Sequence, residues 1–197
     1  VKHNNGYLCL GSINGEPGYD LSSSTHGASD YWLLYLDSNL NKVWDKTIGG
    51  LDHDYGSKII IYQDEIYVAG VSFSNQSLDK TENNYAQNGG FNIWVLKLNS
   101  NGQIIWDRTI GSLSGEMSAN MTINAGGIFI GTTTNGGIGG TKTEPEIGSN
   151  DIWITKLNHN GLILADKTIG TNKADIVSAL EKFNDNQIVV TSYTKAS

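Results

Sequence analysis

Apolar residues along this chain fall in short runs separated by Gly, Asn, Asp and Ser, and the runs return in a fixed order. Residues 30–50 read DYWLLYLDSNLNKVWDKTIGG, residues 91–112 read FNIWVLKLNSNGQIIWDRTIGS and residues 151–171 read DIWITKLNHNGLILADKTIGT. Each is two strands joined by a tight turn. Asn101-Gly102 and Asn160-Gly161 supply the positive φ angles that a two-residue hairpin needs, and residues 39–41 stand in their place in the first copy. Trp32, Trp94 and Trp153 align, at steps of 62 and 59 residues. Repetition at a long fixed period predicts a stack of similar units.

A second element accompanies each copy. YLCLG at 7–11, IYVAG at 66–70, IFIG at 128–131 and the weaker IVVTS at 188–192 read as one strand of the unit. Runs at 57–62, 119–124 and 176–183 precede three of them across polar turns, as hairpins do. Residues 174–183, ADIVSALEKF, have helical spacing on their own, with Ile176, Leu180 and Phe183 at i, i+4 and i+7. The repeat places a strand there, and we follow the repeat.

The Trp-bearing third strand is apolar on both faces, which predicts cover on both sides. The fourth strand alternates charge with apolar residues at Asp45-Lys46, Asp107-Arg108 and Asp166-Lys167. That pattern predicts an outermost strand whose charges are a solvated edge.

These elements predict an all-β fold of four-stranded antiparallel sheets, about 60 residues each, stacked face to face. Radial repetition of such sheets is the β-propeller plan. The chain reads as one propeller region: residues 1–50 supply strands two to four of a partial blade, 51–111 and 112–170 two blades, and 171–197 strands one and two of another partial blade. Open repeat ends leave apolar surface bare. The reading therefore expects either further blades of a longer chain or completion by self-assembly.

The phrase TIGGLDHDYGSKIIIYQDEIYVAGVS, following DYWLLYLDSNLNKVWDK, resembles the bacterial SBBP-type β-propeller repeat. The resemblance runs in register through Trp32, Trp94 and Trp153, through Gly49, Gly111 and Gly170, and through Gly11, Gly70 and Gly131. It implies a secreted or cell-surface bacterial protein, with Bacteroidetes a plausible source, and no transferable catalytic residues. The chain departs from the pattern at Ala165, where the other copies have Trp44 and Trp106, and at Ser112 and Thr171, which replace Gly50. The Trp-Asp phrases are also similar to quinoprotein propellers, but those repeats are shorter and carry other cofactor residues, so no cofactor is expected.

Composition agrees with many short strands and tight turns: Gly is abundant at 24, Pro rare at 2, and charged residues make up 17%. The net charge of -7 without a basic patch argues against nucleic acid or an anionic membrane as partner. No apolar run approaches the ~18 residues of a membrane span. The single Cys9 lies among apolar residues and is expected in the core.

Candidate chemistry is sparse. One acid per unit follows the TIG glycine by five residues: Asp54, Glu116 and Asp175. Each can accept backbone N–H bonds in its turn. Together they could also form a ring of acids at a channel mouth, drawing a cation or sugar hydroxyls. Asp52, His53 and Asp54 do not recur as a trio, so no metal centre is expected there. The connections from strand two to strand three, 13–29, 72–90 and 132–150, far exceed the usual ~2–6 residues, which marks them as functional candidates. They should share a face with the acids, and Tyr19, Phe73 and Tyr85 in them could stack on sugar or anchor a protein. Trp32, Trp44, Trp94, Trp106 and Trp153 recur within the strands and are expected to be structural. No nucleophile elbow, zinc or phosphate-loop motif is present. The favoured expectation is a non-catalytic binding scaffold presenting its long loops to a protein or glycan. The alternative is a propeller enzyme acting on carbohydrate through the three acids.

Overall fold

The computed structural model describes residues 1–195. It is all-β, with three four-stranded antiparallel sheets and a final hairpin. The first sheet runs β1 (Lys2–His3), β2 (Gly6–Ile13), β3 (Asp30–Leu36), β4 (Lys42–Ile48). The second is β5 (Asp54–Tyr62), β6 (Glu65–Ser72), β7 (Asn92–Leu98), β8 (Ile104–Ile110). The third is β9 (Asn120–Asn124), β10 (Gly127–Thr134), β11 (Asp151–Leu157), β12 (Ile163–Ile169), and the hairpin is β13 (Asp175–Lys182) and β14 (Ile188–Thr194). The first sheet thus has a two-residue first strand, β1, that the sequence did not announce.

Residues 175–182 are a strand, and their helix-like spacing has a local cause. The pairing of β13 with β14 skips Ser178, an outward bulge between Val177 and Ala179. The extra residue shifts the parity, so Val177 and Leu180 share the buried face at a spacing of three while Phe183 is exposed.

Consecutive sheets bury one apolar layer between them. Tyr31, Leu33 and Ile48 of the first sheet meet Val68, Trp94 and Leu96 of the second. Val95 and Ile110 of the second meet Met121, Ile130 and Trp153 of the third. β7 is buried at every position, as an apolar two-faced strand should be. β3 departs from that expectation. Its second face carries Trp32 and Leu34, aligned with Gly11 and Cys9 of β2, and no sheet of the described residues covers it. Cys9, expected in the core, is exposed for that reason.

The five Trp residues divide by position. Trp94 and Trp153 are fully buried between sheets. Trp32 is half-buried on the uncovered face. Trp44 and Trp106, also half-buried, pack against the next sheet's hairpin turn, where a Cβ on Gly102 or Gly161 would stand 3.1 Å from the indole. Glycine suits those turns twice, since φ is +72° and +81° and the indole needs the space. Ala165 sits where the described residues provide no following turn to meet.

Candidate functional site

The first strands of the units gather on one side of the stack. β5 lies beside β9, and β9 beside β13. Lys58 on β5 reaches Glu181 on β13 at 3.7 Å. Two openings of about 390 Å³ each lie along these strands, with Lys58 lining both. The one nearer the long loops is lined by Tyr55, Ser57, Val71, Met117, Asn120 and Val177, among others. Ser57 and Ser178, the residues skipped by the ladders in β5 and β13, both face it, and Ser57 Oγ also donates to the Ala119 carbonyl at 3.0 Å.

An aromatic group stands at that rim. His53 and Tyr55 are stacked, with ring centres 5.5 Å apart and planes 14° from parallel. Phe73 meets both edge-on, at 6.2 and 6.4 Å, and packs on Phe91 at 4.7 Å. The Tyr55 hydroxyl lies 2.9 Å from His53 Nδ1 and is the pair's polar handle. Neighbouring loops position these residues: Phe73 N donates to the His53 carbonyl at 2.8 Å and Asp54 N to the Ser29 carbonyl at 2.6 Å. The long loops and the acid-bearing turns therefore share one end of the stack.

The other predicted aromatics do not join this group. Tyr19 stands alone at a turn tip, fully exposed, with φ +52°. Tyr85 is half-buried against Gly140 of the following loop and lines an outer groove with Arg108 and Leu162.

The three acids point inward. Asp54 Oδ2 accepts from Gly50 N at 2.7 Å and Ser74 Oγ at 2.9 Å. Glu116 accepts from Ser112 N, Ser112 Oγ, Thr134 Oγ1 and Asn92 Nδ2 at 2.5–3.2 Å. Asp175 accepts from Thr171 N at 2.6 Å and from the hydroxyls of Thr171 and Thr194. All three are buried and hold the turn between one sheet and the next. Burial pushes the Asp54 and Glu116 carboxyls up against these hydrogen bonds.

The strand-four acids also differ from expectation: they are not a solvated edge. Trp32, Trp94 and Trp153 donate their indole N–H to Asp45, Asp107 and Asp166 at 3.0, 2.8 and 2.8 Å. Each carboxylate then takes the backbone N–H and hydroxyl of one loop residue, Ser22, Thr81 or Thr143. β4, β8 and β12 are outermost, as expected, but the returning long loop is clasped along them. Lys80 and Lys142 precede the clasp residues and are buried over Trp94 and Trp153, with Nζ on Thr109 Oγ1 (2.5 Å) and Thr168 Oγ1 (2.6 Å). Burial holds Lys80 down to about 8, against the attraction of Asp54 and Asp107. The loops thus repeat more than they first suggest. Lys80-Thr81-Glu82 and Lys142-Thr143-Glu144 are the same tripeptide 62 residues apart, a signal that sequence reading passed over.

The clasp carries a pH dependence. Burial raises the Asp45 carboxyl, but hydrogen bonds from Ser22, Trp32 and Lys42 outweigh it and hold it at about 2. A depressed carboxyl contributes stability that is complete above the unfolded value near ~3.9 and is lost as pH falls toward about 2. Asp45→Asn is expected to flatten the decline in denaturation midpoint between about pH 4 and pH 2, measured by circular dichroism in urea. An unchanged slope would remove Asp45 from the acid response.

Among the described residues no group of three or more His, Cys, Asp or Glu side chains could hold a metal, and no helix is long and apolar enough to cross a membrane. Comparison with known proteins finds no matching family model and no matching curated sequence.

Proposed function

We propose that the chain is a β-propeller segment of the SBBP type, acting as a non-catalytic binding scaffold of a larger secreted or surface-exposed bacterial protein. The gathering of the first strands around shared openings supports a radial arrangement of the sheets. In this reading the loop end receives a protein or glycan, and further blades of the same chain or of a second copy continue the stack.

The observation that carries the binding role is the aromatic rim. Tyr55 is exposed, stacked on His53, backed by Phe73 and set over an opening with apolar walls and serine and asparagine edges. Flat amphipathic faces beside hydroxyl and amide groups suit a sugar ring or the side chains of a protein partner. The alternative, a carbohydrate-active enzyme acting through Asp54, Glu116 and Asp175, draws less support, because the three acids are buried and hydrogen-bonded within their turns.

Wild type and the Tyr55→Ala/Phe73→Ala variant are to be compared on a glycan array and in pull-downs with bacterial surface extracts. A glycan or protein retained by wild type and weakened at least about tenfold in the variant is the expected result, since losing one aromatic anchor typically costs 1.4 kcal/mol or more, roughly a factor of ten. Equal retention by both, or none by either, would refute the rim as a binding site.

A further inference from the structure

Positions 30, 49 and 54 recur at 92, 111 and 116 and again at 151, 170 and 175. Each trio sits where one sheet hands over to the next, and a Cβ on Gly49, Gly111 or Gly170 would collide with the side-chain end of Asp30, Asn92 or Asp151. The three handovers therefore place one side-chain atom at one equivalent spot.

In the middle copy that atom is Asn92 Nδ2. It donates to Glu116 Oε2 at 2.5 Å and points to the carbonyls of Phe91, Ser112 and Ser114 at 3.2–3.3 Å. The spot is a cage of oxygens, and a donor fills it. In the first copy it is filled by Asp30 Oδ1, an acceptor. Asp30 and Asp54 are both fully buried, and neither Asp30 Oδ1 nor Asp54 Oδ1 has a hydrogen-bond partner. Ionised carboxylates only accept, so these two oxygens cannot satisfy each other.

The third copy also has an Asp pair, but it is satisfied. Gly148 N donates to Asp151 Oδ1 at 3.2 Å, and the Thr194 hydroxyl donates to Asp175 Oδ1. In the first copy Ser72 stands at Thr194's place with its hydroxyl 3.5 Å from the Ser74 carbonyl. That hydroxyl faces Asp54, and the Gly27 amide approaches the Asp30 carboxyl as Gly148 does Asp151, but neither makes a well-formed bond to an Oδ1 atom. The nearby cations are engaged elsewhere. His26 Nδ1 lies 3.2 Å from Asp79 and 3.8 Å from the other Asp30 oxygen, and Lys80 Nζ is bonded to Thr109.

We propose that the Asp30–Asp54 handover is a site for a hard divalent cation, Ca²⁺ foremost, which ties the first sheet to the second. Asp30 Oδ1 and Asp54 Oδ1 are its anionic ligands. The carbonyls of Ser29, Gly50 and Asp52 correspond to those around Asn92 Nδ2 and are its neutral ones, with water completing the ~6–8 oxygens that Ca²⁺ takes. Asp54 is one methylene shorter than Glu116 and so reaches less far across the handover, which leaves room between the two carboxylates. An ion bonded to both sides at about 2.3–2.6 Å needs that room. The site uses two carboxylates and backbone, so it is not a cluster of acidic side chains alone.

The test is thermal unfolding of the whole chain in EDTA and in millimolar CaCl₂, at matched ionic strength. At about 100-fold excess over Kd, Ca²⁺ is expected to raise Tm by about 5–10 °C, with one equivalent bound in equilibrium dialysis. The variant Asp30→Asn/Asp54→Glu copies the middle handover and should keep the wild-type circular dichroism but lose the Ca²⁺ shift. Asp30→Asn alone should weaken binding at least tenfold, which decides the matter if the double variant fails to fold. A wild-type Tm unmoved by Ca²⁺, or a shift of equal size in the variants, would overturn the proposal.

Discussion

Glu116→Ala is expected to lower stability by about 4 kcal/mol, a fall in Tm of roughly 8–16 °C for a chain of this size. The carboxylate is buried where the second sheet hands over to the third. Its removal strands the Ser112 amide and takes the shortest-range acceptor from the Ser112 and Thr134 hydroxyls and the Asn92 amide, which keep only contacts of 3.2–3.4 Å. Each unsatisfied buried donor costs about 1–3 kcal/mol, partly offset where the gap admits water. Glu116→Gln should cost less. It keeps one acceptor, and burial already disfavours the charge. Urea unfolding of the two variants gives the comparison. Equal stability of Glu116→Ala and wild type would mean the turn is held by other contacts.

Trp94→Ala comes next, with an expected cost of about 3–5 kcal/mol. The indole is fully buried, packs against Tyr31 at 5.1 Å, lies under Lys80 and anchors Asp107. Truncation opens a cavity between two sheets and leaves the clasp carboxylate one donor short. Trp44→Ala should cost clearly less, about 1–2 kcal/mol, because that ring is half-buried, lying between the Gly102 turn and the margin of the core rather than within it. Chemical denaturation of the pair measures the contrast. Equal losses would contradict the division of the Trp residues into buried and turn-docking kinds.

What the sequence made legible follows from range. Alternation and Asn-Gly turns are local, so the hairpins and the order of strands in each sheet could be read from a few consecutive residues. The repeat then decided residues 175–182, where a bulge at Ser178 imitates helical spacing. The path of the long loops was not legible in that way. Whether Asp107 faces water or Thr81 depends on a chain returning 26 residues away, and alternating charge on an edge strand looks the same in either case. For the candidate site, the spacing of Asp54, Glu116 and Asp175 correctly marked one acid per handover, but spacing does not reveal which way a side chain points. The aromatic rim was only partly visible. Phe73 was singled out in its loop, whereas Tyr55 and His53 lie at the start of the next strand and join it only across sheets. Cys9 shows the same limit, since burial of an apolar strand requires a neighbour that its own residues do not specify.

The clasp also changes what the long loops can tolerate. Pinned at Thr81 as well as at its two strand ends, the connection between β6 and β7 is divided into two closures of fewer than a dozen residues each. Closure entropy grows only with the logarithm of length. The exposed tip at Asn88 and Gly89 can therefore lengthen or change its residues at small thermodynamic expense, while the rest of the loop, hydrogen-bonded through Asn83, Asn84, Tyr85 and Ala86, keeps the edge of β8 covered. In evolutionary and engineering terms each unit is a mount with a replaceable tip, and foreign peptides grafted between the clasp and the Trp strand should be displayed without loosening the sheet beneath.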